Sequence, residues 1–223
     1  SRAEKSLRLA FLNGFRAVRT HIDVLSISGN TSWDVLNSLK EKWKDLIYLE
    51  CVALVPLNYW KTKEGSILAN IVANHNGLLG GVLVPPFNIN NVREDLIHLF
   101  KLANKLGCGV DLHVDESSER PGLGLTQVIK VLDRMNVDIP ITCSHLSSLG
   151  LLGEKKLAYF LNKLRKHQIG VIALPLTNAW LLGREKFKTS IKRPVAPILQ
   201  LQYAGLDVAI GGDNVCDPWF PGG

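Results

Sequence analysis

The chain has 223 residues, of which 46% are apolar and 21% charged, and a net charge of +6 at pH 7. This composition supports one large core and argues against a disordered chain. No apolar run reaches the roughly 18 residues that a membrane helix needs, and no signal segment opens the sequence. The lysines are spread along predicted helices, which argues against a nucleic-acid partner. We expect one domain over residues 1–223.

The cysteines Cys51, Cys108, Cys143 and Cys216 are widely spaced and form no Cys-x-x-Cys pair. Three of them lie in or beside apolar runs of strand type. This pattern indicates reduced and mostly buried thiols rather than disulfides or a zinc knuckle. We therefore expect a cytoplasmic protein.

The chain opens with a predicted amphipathic helix over residues 3–13, because apolar residues recur there at spacings of three and four. A strand is predicted at 17–21, and Thr31-Ser32 predict the N-cap of a helix that ends at Trp43. Further strands are predicted at 47–55, 80–84, 109–113, 139–145, 170–174 and 207–211, with helices at 93–106, 126–135 and 154–166. The strands begin about 30 residues apart, which is typical of a repeated βα unit.

Seven such strands fit an open doubly wound sheet or a (β/α)8 barrel. Polar groups follow several different strands: Thr20, His21 and Asp23; His113 and Glu116; Ser144 and His145; Asn178; Asp213 and Asn214. Functional groups at many strand ends are typical of a barrel, whereas an open sheet concentrates its site at one switch point. The sequence therefore predicts an α/β fold of the (β/α)8 TIM barrel class.

The predicted elements are one strand and one helix short of that barrel. The order is a helix, six strand–helix units and a strand, so the first strand and the last helix of a barrel are not accounted for. The strands at 17–21 and 207–211 would then flank a gap with unpaired edges. We expect a fragment of a barrel, whose open edges could pair with a second copy of the chain.

Residues 109–116 combine a buried strand with four groups that can bind metal or move protons. Alternation places Asp111 and His113 on one side of the strand. A His at a strand end with a carboxylate three residues later, here Glu116, can bind a metal and transfer a proton. A single His-x-x-Glu pair on a loop is more often simply solvated, so the motif needs its context.

That context is a set of five motifs in chain order. They are Val18-Arg19-Thr20-His21-Ile22-Asp23, Asp111-Leu112-His113-Val114-Asp115-Glu116, Ser144-His145-Leu146-Ser147-Ser148, Pro175-Leu176-Thr177-Asn178 with Gly183-Arg184, and the ten residues from Gly212 to Pro221. Together they resemble the cytosine deaminase branch of the amidohydrolase superfamily.

The resemblance implies a hydrolase that releases ammonia from a cyclic amidine, such as a pyrimidine, a triazine or a related nitrogen heterocycle. It implies one divalent ion, iron or zinc, with His113 and Asp213 as ligands. Glu116 would be the proton shuttle, His145 would orient the attacking water or the substrate, and Asp213 would also accept a proton from that water.

Three departures from the family pattern bear on this implication. The family's His-x-His, which supplies two further metal ligands, does not occur in this sequence. Leu57 follows Pro56 where cytosine deaminases have a base-recognising Gln, and Pro85-Pro86-Phe87-Asn88 replaces Pro-His-Phe-Glu.

We expect Leu57, Asn214 and Trp219 to contact the substrate. The alternative is a catalytically inactive truncated barrel, or an assembly module, that lacks the His-x-His ligands.

The other histidines have simpler interpretations. We expect His21 to pack inside the barrel rather than to bind metal. The three histidines in helices or interstrand loops, His75, His98 and His167, are expected at the surface or at helix ends. The segment 177–197 is expected to be irregular and to serve as a lid or an interface.

Overall fold

The computed structural model describes residues 2–25, 27–189 and 191–215, apart from the side chains of residues 27–30. The strands are β1 (Ala17–Asp23), β2 (Tyr48–Leu54), β3 (Leu78–Leu83), β4 (Val110–Val114), β5 (Ile141–His145), β6 (Gly170–Ala173) and β7 (Val208–Ile210). The α-helices are α1 (Arg2–Leu12), α2 (Ile27–Trp43), α3 (Lys63–Asn74), α4 (Ile89–Leu106), α5 (Leu123–Leu132), α6 (Glu154–Lys166), α7 (Pro175–Leu181) and α8 (Ile198–Tyr203). Two 3-10 segments cover Leu57–Lys61 and Ser147–Leu151.

All seven strands are parallel and lie in the sheet in chain order, from β1 at one edge to β7 at the other. Parallel neighbours in chain order, joined by crossover helices, are the repeating unit of a barrel wall. The predicted strands are confirmed, and within the described ranges no ladder joins β1 to β7. The fold is a curled seven-stranded α/β sheet, which confirms the barrel prediction in part.

One continuous apolar core fills the space between the sheet and its helices. One glycine in β3 allows a close approach from the 3-10 segment that follows β2. Leu57 lies over Gly81, where an added Cβ would lie 2.5 Å from a Leu57 methyl carbon. The buried indole of Trp60 donates a hydrogen bond to the carbonyl oxygen of Gly80 at 2.9 Å. This packing fixes the loop after β2 against the sheet.

The ends of several helices differ from the prediction. Helix α2 begins at Ile27, so Thr31-Ser32 lie inside it and the predicted N-cap was wrong. Helix α4 begins at Ile89 because the Asn88 side chain accepts hydrogen bonds from the backbone N–H groups of Asn90 and Asn91. Helix α6 has the predicted bounds. Caps, rather than apolar periodicity, therefore decided the boundaries.

The segment predicted to be irregular from residue 177 begins with a helix. Pro175 stands at the start of α7, a position where its fixed φ and missing N–H favour a helix. The irregular part therefore starts only after Leu181. His75 and His167 end α3 and α6, as expected of helix-end histidines.

Two observations bear on the environment of the protein. Cys51, Cys108 and Cys143 are free and buried, as predicted, whereas Cys216 lies outside the described residues. In the part of the chain that the structure describes, no helix combines the length and apolar character needed to cross a membrane.

Candidate active site

Three of the predicted site residues meet where β4 and β5 end. The two strands pair in register, with Val114 opposite His145, so the loop that follows β4 faces the end of β5. Nε2 of His145 lies 3.2 Å from Nδ1 of His113 and 3.5 Å from Oε2 of Glu116. Potential ligand atoms of these three side chains all lie within 4.8 Å of one another, close enough for one metal ion.

His21 of β1 completes a row of imidazoles. Its ring meets the His113 ring edge to face, with centroids 4.7 Å apart, and the rings of His113 and His145 are 4.9 Å apart. Nε2 of His21 lies 3.4 Å from Oδ1 of Asp111 but makes no hydrogen bond. His21 packs against the interior as predicted, and it also lies beside the candidate metal ligand, a proximity that the sequence did not predict.

The corners that carry the site have left-handed backbone. Asp115, His145 and Leu146 have φ values of 56°, 72° and 48°, which are uncommon for residues other than glycine. Hydrogen bonds between the two corners hold this conformation. The N–H of Leu146 donates to Val114 O at 2.9 Å, and both the N–H of Ser148 and the hydroxyl of Ser147 donate to Asp115 O, at 3.1 and 3.0 Å.

The Asp115 side chain fixes the loop that bears Glu116. Its two carboxylate oxygens accept hydrogen bonds from the backbone N–H groups of Gly124 and Leu125, at 2.7 and 3.0 Å, at the start of α5. Burial raises the pKa of Asp115 to about 6, although these two N–H groups act in the opposite direction. The Asp115 side chain thus joins the loop after β4 to the start of α5.

Burial makes the two central imidazoles neutral at pH 7. Burial, with the charge of His21, lowers the pKa of His113 to about 4. Burial and the proximity of His113 lower the pKa of His145 to about 3. A neutral imidazole has a free nitrogen lone pair, which is the form that binds metal.

Glu116 has the opposite shift. Burial, together with the negative charge of Asp213, raises the pKa of the Glu116 carboxyl to about 7. Asp213 follows β7 and has a φ of 75°. Because all seven strands are parallel, Asp213 after β7 lies at the same end of the sheet as the loops that follow β4 and β5. A carboxyl with a pKa near neutrality can both accept and deliver a proton.

A polar network lies on the interior side of the sheet, one layer from the imidazoles. The Arg19 guanidinium donates to Asp111 at 2.6 Å, to Glu50 at 2.8 Å and to the hydroxyl of Thr142 at 2.9 Å. The Ser144 hydroxyl also donates to Asp111, at 2.9 Å. Burial opposes ionisation of Asp111, but His21 and Arg19 outweigh it and hold the pKa of Asp111 below its usual value. The network ties four strands together.

Helix α7, which follows β6, contributes one residue that contacts the site. Asn178 is fully buried, and its side-chain nitrogen Nδ2 lies 3.0 Å from Nδ1 of His145. Thr177 is also fully buried, and its hydroxyl has no hydrogen-bond partner among the described residues. Asn178 belonged to a quoted motif, but no role was predicted for it.

Two of the three predicted substrate residues lie in the part of the chain that the structure describes. Leu57 is 5% exposed and belongs to the apolar core. Asn214 is exposed in the turn after β7. Trp219 lies outside the described residues. Their contact with a substrate remains a prediction.

Comparisons with known proteins show what this arrangement is similar to. No family model matches the chain. The sequence is 33% identical over 220 residues to pterin deaminase from Rhizobium rhizogenes (strain K84), covering 98% of this chain and 50% of that protein. It is 26% identical over 215 residues to N-isopropylammelide isopropyl amidohydrolase from Pseudomonas sp. (strain ADP), covering 95% of the chain and 49% of that protein. The chain is homologous to deaminases of the amidohydrolase superfamily.

A solved structure agrees with these sequence relatives. The 5-methylcytosine deaminase from Klebsiella pneumoniae, in complex with 5-fluorocytosine, superposes with a TM-score of 0.80 at 25% identity. The match covers 99% of this chain and 53% of that deaminase. The chain thus spans about half the length of the amidohydrolase relatives that it matches.

Proposed function

We propose that this chain is the part of a metal-dependent hydrolase that deaminates a nitrogen heterocycle containing a cyclic amidine. The observation that supports it most directly is the convergence of His113, Glu116 and His145 at the end of β4 and β5. The relatives reported above have names that describe deamination or C–N hydrolysis. We infer a (β/α)8 barrel for the whole protein, with the seven described strands forming most of its wall.

One divalent ion, iron or zinc, is the proposed cofactor, with His113 and Asp213 as ligands. The chemistry of the donors fits. His113 is neutral at pH 7, so one of its two ring nitrogens has a free lone pair that can bind an ion, and its buried Nε2 has no hydrogen-bond partner among the described residues. A carboxylate and imidazoles are the usual ligands of catalytic zinc and non-haem iron. When bound, a divalent ion lowers the pKa of a coordinated water and so supplies a nucleophile.

The chain's own residues would handle the protons. Asp213 would accept a proton from the attacking water, while Glu116, with its pKa near 7, would protonate the ring nitrogen. Glu116 would then take the proton of the hydroxyl group added to the carbon and deliver it to the departing amine, and the proton held by Asp213 would restore Glu116. The nitrogen must leave as neutral ammonia because an amide anion is too basic a leaving group. His145 holds the water or the substrate by a hydrogen bond from its ring. Burial of the cluster strengthens each of these interactions.

The substrate we propose is a small heterocycle in the size range of a pyrimidine, triazine or pterin. The pterin deaminase relative and the two triazine- and cytosine-type relatives support this range. Leu57 replaces a polar, base-recognising residue of cytosine deaminases, which makes cytosine itself a less favourable substrate. Reduced, buried cysteines are consistent with a cytoplasmic enzyme.

The second function, an inactive truncated barrel or an assembly module, is not favoured by the comparisons. Its one supporting observation is the absence of His-x-His from this sequence. The two functions make opposite predictions about metal binding, so a single set of measurements separates them.

The test starts with the purified chain, loaded with Zn²⁺ or anaerobically with Fe²⁺ and then dialysed. We expect up to one metal ion per chain by elemental analysis, lost in His113→Ala and retained in the matched control His98→Ala on α4. The metal-loaded chain should release ammonia from at least one of pterin, cytosine or an aminotriazine. A folded chain that neither binds metal nor releases ammonia would overturn the proposal in favour of the inactive barrel.

A further inference from the structure

The hydrogen bond between Asn178 and His145 bears on what His145 can do at the site. Both side chains are buried, with exposed fractions of 0% and 1%. Nδ2 of Asn178 lies 3.0 Å from Nδ1 of His145. An amide N–H can only donate, so Nδ1 of His145 must accept and carry no proton. In a neutral imidazole the proton is then on Nε2.

The surroundings of Nε2 support this tautomer. Oε2 of Glu116 lies 3.5 Å away and Nδ1 of His113 lies 3.2 Å away. Both atoms can accept a hydrogen bond from an N–H at Nε2. The opposite tautomer would direct a lone pair of His145 at the Glu116 carboxylate, and two acceptors would repel each other.

The orientation of the Asn178 amide has its own energetic reason. In the observed orientation the buried atom without a partner is Oδ1. The flipped amide would instead leave the –NH₂ group, with two donors, unpaired in the same buried place. A buried carbonyl oxygen without a partner costs less than two buried N–H groups without partners.

Helix α7 holds the amide in position. The N–H of Asn178 donates to Leu174 O at 3.1 Å, and Asn178 O accepts from the N–H of Leu182 at 3.0 Å. The backbone of Asn178 is therefore fixed on both sides, and its side chain reaches His145 from a rigid element. A rigid donor specifies one tautomer more firmly than a mobile one does.

We propose that Asn178 is a positioning residue that locks His145 in the Nε2–H tautomer. His145 then presents a hydrogen-bond donor, not a lone pair, toward Glu116 and the centre of the site. It follows that His145 orients water or substrate and is not a metal ligand through Nε2, although its distances to His113 and Glu116 would allow ligation. This assignment of His145 rests on the proposed function, whereas the tautomer itself does not.

The tautomer can be measured on the metal-free chain at pH 7.5. Two-bond ¹H–¹⁵N correlation spectra of ¹⁵N-histidine-labelled protein distinguish protonated from unprotonated ring nitrogens, and His145 is assigned by the signals lost in His145→Gln. We expect a protonated Nε2 and an unprotonated Nδ1. A wild-type His145 with its proton on Nδ1 would overturn the proposal without any need for a variant at position 178.

Asn178→Asp gives the sharpest variant because it replaces the donor with an acceptor of the same shape. We expect the protonated signal of His145 to move from Nε2 to Nδ1, and Asn178→Leu to yield a mixture of both tautomers. Asn70→Asp on α3 is the matched control and should leave His145 unchanged. A His145 tautomer that is the same in wild type, Asn178→Asp and Asn178→Leu would reject a positioning role.

The same measurement separates the two proposals. If His145 has the expected tautomer but the metal-loaded chain releases no ammonia, the deaminase function fails and the role of Asn178 toward His145 stands. If ammonia is released but the tautomer is the opposite one, the function stands and the assignment of Asn178 fails.

Discussion

Nε2 of His145 lies 3.5 Å from Oε2 of Glu116, so the end of β5 and the loop after β4 face each other across the candidate site. The two groups differ in protonation. Burial keeps His145 neutral at pH 7, whereas burial and Asp213 raise the pKa of Glu116 to about 7. The neutral imidazole is suited to orienting the water or the substrate. The carboxyl, which titrates near pH 7, is suited to proton transfer.

The first prediction separates chemistry from metal binding. Glu116→Gln retains a side chain of the same shape that can form hydrogen bonds but cannot carry protons. We expect bound metal to be retained and ammonia release to fall by on the order of 10² to 10⁴. His113→Ala should lose metal and activity together. Both are measured by elemental analysis and an ammonia assay on the metal-loaded chain.

The matched control for this prediction is Glu119→Gln, an exposed residue of the same loop, which should change neither quantity. If Glu116→Gln keeps full turnover, Glu116 is not the shuttle. If it loses its metal, Glu116 is a ligand, as its membership of the His113–Glu116–His145 cluster would allow.

The second prediction concerns the stability of the folded chain at acid pH. The pKa values of His113 and His145 fall from the ordinary value of 6.5 to about 4 and about 3 on folding. Between pH 6.5 and pH 4 the unfolded chain therefore binds more protons than the folded chain, and stability must fall as the pH falls. We expect the two residues to contribute on the order of 1–3 kcal/mol to this loss.

Urea unfolding at pH 7, 6 and 5 measures that loss. His145→Gln should reduce the dependence of unfolding free energy on pH, and His75→Gln, at the exposed end of α3, should not. An equal pH dependence in wild type and His145→Gln would show that His145 gains protons in the folded state as readily as in the unfolded one.

The third prediction concerns Glu116, whose pKa shifts on folding in the direction opposite to those of the two histidines. Its pKa rises from 4.5 to about 7 on folding, so between these values the folded chain binds more protons than the unfolded chain. The contribution of Glu116 to stability therefore falls as the pH rises from 4.5 to 7, opposite in sign to the contribution of the two histidines. Glu116→Gln removes this cost and should stabilise the chain at pH 8 by on the order of 1–2 kcal/mol, with little effect at pH 4.5. Glu119→Gln should show no such difference between the two pH values in urea unfolding.

Much of the sheet could be predicted from the sequence because each strand has a local signal. Alternation and apolar runs located all seven strands, and the motif at 109–116 located the site on β4. Helix starts were less predictable. Thr31-Ser32 had the composition of an N-cap, but the helix extends upstream to Ile27. The segment from residue 177 was predicted to be irregular, but it begins inside α7.

The contacts of Arg19 and His21 could not be predicted for a different reason. Arg19 and Asp111 are 92 residues apart in sequence, and they meet because β1, β2, β3 and β4 align in one register. Register depends on how whole strands pack, and no short stretch of sequence specifies it.

The fourth prediction tests the corner that bears Glu116. Asp115 is fully buried and accepts hydrogen bonds from two backbone N–H groups with its two carboxylate oxygens. In Asp115→Asn the –NH₂ group would face one of these backbone N–H donors. That N–H and the –NH₂ group would then both lack an acceptor, whereas the amide oxygen could still accept from the other N–H. We expect a loss of about 1–3 kcal/mol in urea unfolding at pH 8. Asp138→Asn, at an exposed position, is the control; a loss no larger than the control's would contradict the capping role.

The last prediction tests the network around Asp111. This carboxylate is completely buried, and His21 and Arg19 favour its ionised form, with the Arg19 guanidinium in contact at 2.6 Å. Arg19→Met keeps much of the apolar volume but removes the guanidinium, so Asp111 must stay charged without its partner or take up a proton. Removing one partner of a buried ion pair typically costs about 3–5 kcal/mol. The exposed control Arg16→Met should cost less than about 0.5 kcal/mol.

The double variant Arg19→Met/Asp111→Asn removes the unbalanced charge and should recover part of the loss in the free energy of unfolding, measured in urea. If the double variant is less stable than Arg19→Met alone, Asp111 stabilises the sheet through Ser144 and His21 rather than through Arg19.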